Sequence, residues 1–430
     1  MSGAGSCIGL GAAGARLEAR EVRSLVREGL SSLCLDGRRL LVIIPDGTRT
    51  MPLGLMMSAI EAAAGRASAL DYLVALGTHR PLSDAELTRL SGRPVVDGRV
   101  GAARIFNHRW DDPRTFVTLG VIPAGEIHAL SGGRLECDVS ISLNRLILEY
   151  DQLLICGPVF PHEVVGFSGG TKYLIPGIAG PEIIDLTHWL GALIGSRHVI
   201  GMLHTPVRAV IDRAARFVDR PVACLALVVT DGGLAGLYCG TPADAWAQAA
   251  TLSAQLHIVD VDRPFRRVLS VMPPMYDDLW TAAKGMYKVE PAVADGGEVV
   301  IYAPHITEVS YTHGALLDEI GYHCRDYFLC QWARFRDYPG GVLAHSTHVK
   351  GLGDYDPVTG VERPRIAVTL ATGIPAERCR RINLGYLDPR SVRVDEWANR
   401  EEAGVRLVRR AGERLYRLRP PDDDPPALRT

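Results

Sequence analysis

Arg39-Leu-Leu-Val-Ile-Ile-Pro-Asp-Gly-Thr-Arg49 (RLLVIIPDGTR) is the stretch that sets the fold class. From Leu40 to Pro45 the run is apolar at every position rather than at alternate ones, as in a strand covered on both faces; such strands belong to parallel sheets flanked by helices. It ends in Asp46, Thr48 and Arg49, and a helical pattern follows Pro52 through Ala64. Polar residues at the carboxyl end of a buried strand, just before a helix, stand where open α/β sheets hold their ligands. A helix cap would account for Asp46 or Thr48, but it leaves Arg49 without a role.

The pattern repeats on either side. Leu70 to Leu76 reads as a second short strand ending in Gly77-Thr-His79-Arg80-Pro81, and Ser83 with Glu86 forms a capping box for the next helix. His79 therefore falls on a strand-end loop equivalent to that of Asp46. His108 follows a third run, Ala103 to Phe106, and either lines the same edge or sits in a turn. Two more strands are expected between Cys137 and Cys156, and another over Ala223 to Thr230.

Near residue 265 the composition shifts and a new unit begins. Arg267 to Met272 reads as a strand, Leu279 to Lys288 as a helix carrying Lys284, and Glu298 to Ala303, Gly341 to Ala344 and Arg365 to Leu370 as strand-like runs. The expected class is α/β, with two α/β domains and an active-site cleft between them: an N-terminal domain over 1–265, a substrate-closing domain over 266–390, and an extension over 391–430. The extension is expected to hold a charged helix, Arg400 to Leu418, and an acidic, proline-rich tail of disordered composition, PPDDDPPALRT.

Composition excludes several classes. The chain has 430 residues, 47% hydrophobic and 22% charged, with a formal net charge of -2, so it is a packed protein without the basic field that draws nucleic acid. Its nine cysteines include no CxxC pair, which reads as thiols in a reducing compartment rather than a disulfide framework. The longest apolar run, about Val222 to Val229, is far short of the ~20 residues of a membrane span. With no basic flank and apolar core at the start, the expected location is the cytoplasm.

Two motif matches fail on context. Gly9-Leu-Gly11-Ala-Ala-Gly14 has the GxGxxG spacing of a dinucleotide site, yet no apolar strand precedes it, so a loose N-terminal arm is expected. Gly166-Phe-Ser168-Gly-Gly170 has the spacing of a nucleophile elbow, which needs a strand before it and a full helix after it. Pro158, Pro161 and Pro176 leave no room for that helix, and a serine hydrolase is the weaker reading.

That second match lies inside the densest chemistry of the chain, Phe160 to Gly180, FPHEVVGFSGGTKYLIPGIAG. His162, Ser168, Gly169, Gly170 and Lys172 bring an imidazole, a hydroxyl, backbone that can approach a ligand closely, and a primary amine. Ser168 to Gly170 could cradle an anion. Lys172 could be a point charge, a covalent attachment point or a surface lysine after a turn.

The combination of DGTR (Asp46 to Arg49), ALGTHRPLSDAEL (Ala75 to Leu87), PHEVVGFSGGTKYLIPGIAG (Pro161 to Gly180), His188 and AAKGM (Ala282 to Met286), in this order, resembles the lactate racemase family of nickel-pincer enzymes. The resemblance implies a nicotinate-derived mononucleotide joined through a thioamide to Lys172, with nickel held by two sulfurs, a ring carbon and the imidazole of His188. His79 and His162 would be the acid/base pair. Ser168, Gly169, Gly170 and Asp46 would border the cofactor, while Arg49, Lys284 and Thr281 would meet the substrate. Enzymes that carboxylate, sulfurate and insert nickel would be transient partners.

The chemistry suits those residues. The C–H of a 2-hydroxy acid is a poor acid, so hydride removal with loss of the hydroxyl proton to a base gives a transient 2-keto acid. Return to the other face calls for a second base, and imidazole, with a pKa near ~6.5, serves in either state. Thr281 stands where the family usually carries a carboxamide, which puts lactate itself in question. The second half is rich in His305, Tyr311, His313, His323, His345 and His348, which suit a larger, aldonate-like substrate. A metal pair at His345 and His348 is disfavoured by the strand-like run before them. The expected function is racemisation or epimerisation of a 2-hydroxy acid. The alternatives are an oxidoreductase using the same cofactor and a family member without catalysis.

Overall fold

The structure is a computed structural model that describes residues 7–419. Its internal contacts divide the chain into two compact units. The first takes the described residues through Phe160, then Phe167–Ile184 and Arg208–Leu256; the second takes Pro161–Gly166, Asp185–Val207 and the described residues from His257 onward. The boundary expected near residue 265 lies close to the last of these crossings. Two short excursions before it, which no composition shift marks, also belong to the second unit.

The first unit is built on an eight-stranded sheet in the order Ile8–Gly11, Gly233–Gly240, Val222–Thr230, Gln152–Pro158, Arg39–Ile44, Ala69–Val74, Ala103–Asn107, Arg99–Val100. The pairings from Val222–Thr230 across to Ala103–Asn107 are parallel, as the unbroken apolar runs require. Leu40 to Ile44 are wholly shielded from solvent, each such side chain contributing roughly 1.5–3 kcal/mol relative to an exposed one. Helix Ala19–Ser31 lays Val22, Val26 and Leu30 on that sheet at a spacing of four, and helix Leu53–Ala63 adds Met56, Met57 and Ile60.

Within the described residues the N-terminal glycine motif is not a loose arm. Ile8–Gly11 is an antiparallel edge strand on Gly233–Gly240. A Cβ at Gly11 would stand 2.7 Å from the Tyr238 hydroxyl, so the small residues that suggested looseness are there for close approach.

The second unit holds a five-stranded, all-parallel sheet: Gly385–Tyr386, Ala367–Thr372, Val293–Ala303, Phe265–Val271, Val405–Val408. Three expectations are corrected here. Gly341 to Ala344 belongs to helix Gly340–Lys350, buried from Gly341 to Lys350; a helix covered all round shows the same short apolar run as a buried strand. Leu279 to Lys288 is two short helices, Leu279–Ala282 and Lys284–Tyr287, with Lys284 opening the second. The charged helix expected over Arg400 to Leu418 is replaced by strands Val405–Val408 and Leu415–Leu418, which pair in parallel with Phe265–Val271 and Ile258–Val261. Tertiary pairing overrode local propensity there, while Arg417 and Arg419 meet Asp260 and Asp262 at 2.7 Å. The tail expected after Leu418 lies outside the described residues from Pro420 on.

Candidate active site

In the first unit, strands Arg39–Ile44 and Ala69–Val74 run in register, Ile44 opposite Val74, and Ala75 N–H donates to Ile44 O at 2.8 Å. The loops after them must therefore leave the sheet side by side. This brings Asp46 Oδ2 to 2.5 Å from His79 Nδ1. Asp46 is buried and also accepts from the Thr48 amide at 3.0 Å and hydroxyl at 2.7 Å. Burial alone would raise its carboxyl; His79, with Arg49 and Thr48, overcomes that and holds it well below the usual carboxylate range. The ionised carboxylate fixes the proton of a neutral His79 ring on Nδ1 and leaves Nε2 as the basic nitrogen.

His108, on the next strand end, is a packing residue. It is wholly buried, its Nδ1 lies 3.2 Å from Asn144 Nδ2 and its Nε2 3.2 Å from Ala179 O, and burial pulls its pKa down to about 4.

The Ser168 segment is a tight turn. Gly169 and Gly170 have φ of 86° and 59°, and Cβ atoms there would stand 2.6 Å from Val159 Cγ2 and 2.9 Å from Trp246 Cβ. Only glycine fits both demands. The Ser168 amide donates to Phe160 O at 2.8 Å, and its hydroxyl accepts from Phe160 N at 2.9 Å and donates to Pro158 O at 3.3 Å. The amide and hydroxyl of Ser168 are thus engaged inside the segment, against its reading as a nucleophile or as an anion donor. Lys172 follows in a 3-10 turn, Gly170–Tyr173, and is partly exposed.

In the second unit, His162 is buried, and its Nδ1 accepts the Val164 amide at 3.2 Å with Glu163 Oε2 3.4 Å away. An accepting Nδ1 places the proton of the neutral ring on Nε2, the reverse of His79. His188 is partly exposed on helix Pro181–Ile194. His345 and His348 share a face of their helix at a spacing of three. Burial, with His188 among the charged neighbours, holds His345 well below its ordinary value and His348 at about 4. Trp280 packs against both His345 and His313, with ring centres 4.1 and 4.6 Å apart. His305 is exposed and bonds Tyr276 O at 2.9 Å.

Thr281 is not free for the substrate. Its hydroxyl lies 2.8 Å from Asp278 Oδ1 and 3.1 Å from Asp278 O, and its single proton goes to one of them. It completes the cap of helix Leu279–Ala282. Lys284 is buried, with Nζ 3.3 Å from Thr281 O and 4.4 Å from the Tyr276 ring centre.

One signal in the sequence singles out these amines. Of 47 basic residues only four are lysines, Lys172, Lys284, Lys288 and Lys350. Lys288 and Lys350 are buried, donating to Glu413 O at 3.0 Å and Asn383 O at 2.7 Å, where a compact ammonium fits and a planar guanidinium does not. The other two are the amines expected to do chemistry. Arg208 and Trp246, which hold the Ser168 turn, carried no sequence signal, because their partners are carbonyls far away in the chain.

Among the described residues no three His, Cys, Asp or Glu side chains gather as a metal site. Lys172 presents a partly exposed amine on its turn and His188 a partly exposed imidazole, the two group types the expected cofactor would use.

Residues 21–201 match the family model of the lactate racemase N-terminal domain. The lactate racemases of Thermoanaerobacterium thermosaccharolyticum and Lactiplantibacillus plantarum are 24% and 25% identical over 281 residues, 64% of this chain and 62% of each relative. The matched part thus spans less than two thirds of either enzyme's length. A crystal structure of a Thermotoga maritima protein covers 94% of this chain and 99% of its own at 32% identity, with a TM-score of 0.87. The lactate racemase apoprotein from T. thermosaccharolyticum shares the fold, with a TM-score of 0.69 at 18% identity over 92% of this chain and 93% of that one. The fold is mixed α/β with large parallel sheets, and residues 21–201 are similar to the lactate racemase N-terminal domain. Among the described residues no helix is long and apolar enough to cross a membrane.

Proposed function

We propose that this chain is a racemase or epimerase of 2-hydroxy acids. The observation that carries the proposal is the His79–Asp46 pair at 2.5 Å, an imidazole oriented by a buried, ionised carboxylate at a strand end of a lactate racemase family fold. His79, neutral with a basic Nε2, would take the substrate hydroxyl proton, and His162, as an imidazolium beside the Glu163 carboxylate, would give one back. Each has exchanged its state after a turnover in one direction, which is what the reverse direction needs. Lys284 binds the carboxylate. Lys172 would hold the nickel-pincer nucleotide, with His188 as the imidazole ligand of its nickel. When bound, that group supplies a reversible two-electron acceptor for substrate carbon C2.

The substrate class is a lactate-like or larger, aldonate-like acid. In favour of the larger acids, the Thr281 hydroxyl is taken by Asp278, while neutral His345 and the ring of Trp280 lie near Lys284 and suit a hydroxylated tail. Loading would require carboxylating, sulfurating and nickel-inserting enzymes as transient partners.

The test is co-expression with such enzymes, intact mass, and chiral separation after incubation with single enantiomers of 2-hydroxy acids. The expected result is a mass increment on Lys172 and interconversion without build-up of keto acid. Stoichiometric keto acid release would favour the oxidoreductase reading, and an unmodified Lys172 would overturn the cofactor assignment.

A further inference from the structure

We infer that Arg208 and Trp246 are positioning residues for the amine of Lys172, acting through three successive carbonyls of the turn before it. The inference rests on the reading of Lys172 as the attachment residue.

The turn Phe167–Thr171 lies outside regular ladder pairing for most of its length, and its left-handed glycines point consecutive carbonyls in different directions. Each finds a side-chain donor. Arg208 donates through Nη2 to Phe167 O and through Nη1 to Gly169 O at 3.3 Å and Thr171 Oγ1 at 3.2 Å. Trp246 Nε1 donates to Ser168 O, between them, at 2.9 Å. The guanidinium lies 4.3 Å over the Trp246 ring, so the two donors brace each other. Thr171 in turn donates to Asp212 Oδ1 at 2.5 Å. Lys172 is the next residue.

Burying a guanidinium is costly. Arg208 is 4% exposed, and desolvation draws its pKa down to about 10 against the pull of Asp212. A lysine there would keep the charge but lose the planar fork that reaches two carbonyls and stacks on an indole. What this arrangement secures is the direction of one amine. A covalently attached group must present its reactive atom within about 0.5 Å of the productive place, which a loose turn cannot do.

The experiment uses the full unloaded chain with Trp246→Phe, which removes one N–H and keeps the ring, and Arg208→Lys and Arg208→Met. Acetylation by an N-hydroxysuccinimide ester is followed at each lysine by peptide mass spectrometry across pH, together with hydrogen exchange of residues 167–173. Lys284, Lys288 and Lys350, all buried, report on global unfolding in the same sample. The expected result is a several-fold faster reaction of Lys172 and faster exchange of its turn, the three buried lysines unchanged, with Arg208→Lys failing to rescue and the loaded fraction falling in parallel. Wild-type reactivity of Lys172 and wild-type exchange in folded Trp246→Phe and Arg208→Lys would overturn the inference. So would a rescue by Arg208→Lys. A wild type that never loads would sink the attachment reading alone, since the reactivity of Lys172 is measured without the cofactor.

Discussion

His79 Nδ1 and Asp46 Oδ2, 33 residues apart in sequence, meet at 2.5 Å because two parallel strands end at the same level of one sheet. The carboxylate sets which nitrogen of the ring is basic. Asp46→Asn keeps the size and replaces an obligate acceptor with a group that can donate, so the ring can adopt the wrong tautomer. The expected outcome is a fall in kcat of about 10²-fold or more with a much smaller change in KM, read by chiral assay of the loaded enzyme.

His108 predicts an acid-sensitive stability. Its folded pKa is about 4 against ~6.5 unfolded. Between those values the unfolded chain binds a proton that the folded chain refuses, so stability is intact above about 6.5 and declines as pH falls toward 4. The loss at the lower limit is on the order of 3 kcal/mol from this residue. His108→Gln, which can still accept from Asn144 and donate to Ala179, should flatten the slope of Tm against pH in that window. An unchanged slope would refute the assignment.

Gly170→Ala should be costly out of proportion to one methyl group. The residue has a φ of 59°, and a Cβ would stand 2.9 Å from Trp246 Cβ. A loss of about 1–3 kcal/mol is expected in denaturant unfolding, with a reduced loaded fraction. A Tm within a degree of wild type would show that the turn relaxes freely.

Lys284 and Thr281 should separate cleanly. Lys284→Gln removes the cation proposed to hold the substrate carboxylate and should raise KM by an order of magnitude or more, from about 1.5–3 kcal/mol of charged hydrogen bonding. Thr281→Val removes a hydroxyl bonded to Asp278 and should cost roughly 1 kcal/mol of stability with little effect on KM. Equal KM effects in both variants would restore Thr281 to the substrate.

The parallel sheet of the first unit was legible because Leu40 to Ile44 is apolar at every position, and the strand-end placement of Asp46 and His79 followed from it. Their mutual contact was not, since register between distant strands leaves no local mark. The helix bearing His345 and His348 was misread because full burial erases periodicity, and strands Val405–Val408 and Leu415–Leu418 because their arginines imitate a solvated helix face. Ser168 was assigned an outward role from its chemistry and Thr281 from the family resemblance. Their hydroxyls turn inward to partners, Phe160 with Pro158 and Asp278, that the sequence does not reveal as near.

The scarcity of lysine has a practical consequence. With four lysines, exhaustive digestion of the denatured, unloaded chain by a lysine-specific protease yields five peptides. A group attached to the Nζ of Lys172 removes that cleavage and fuses the peptides on either side of it. The occupancy of a preparation can therefore be read from the proportion of one long fragment, before any substrate has been found.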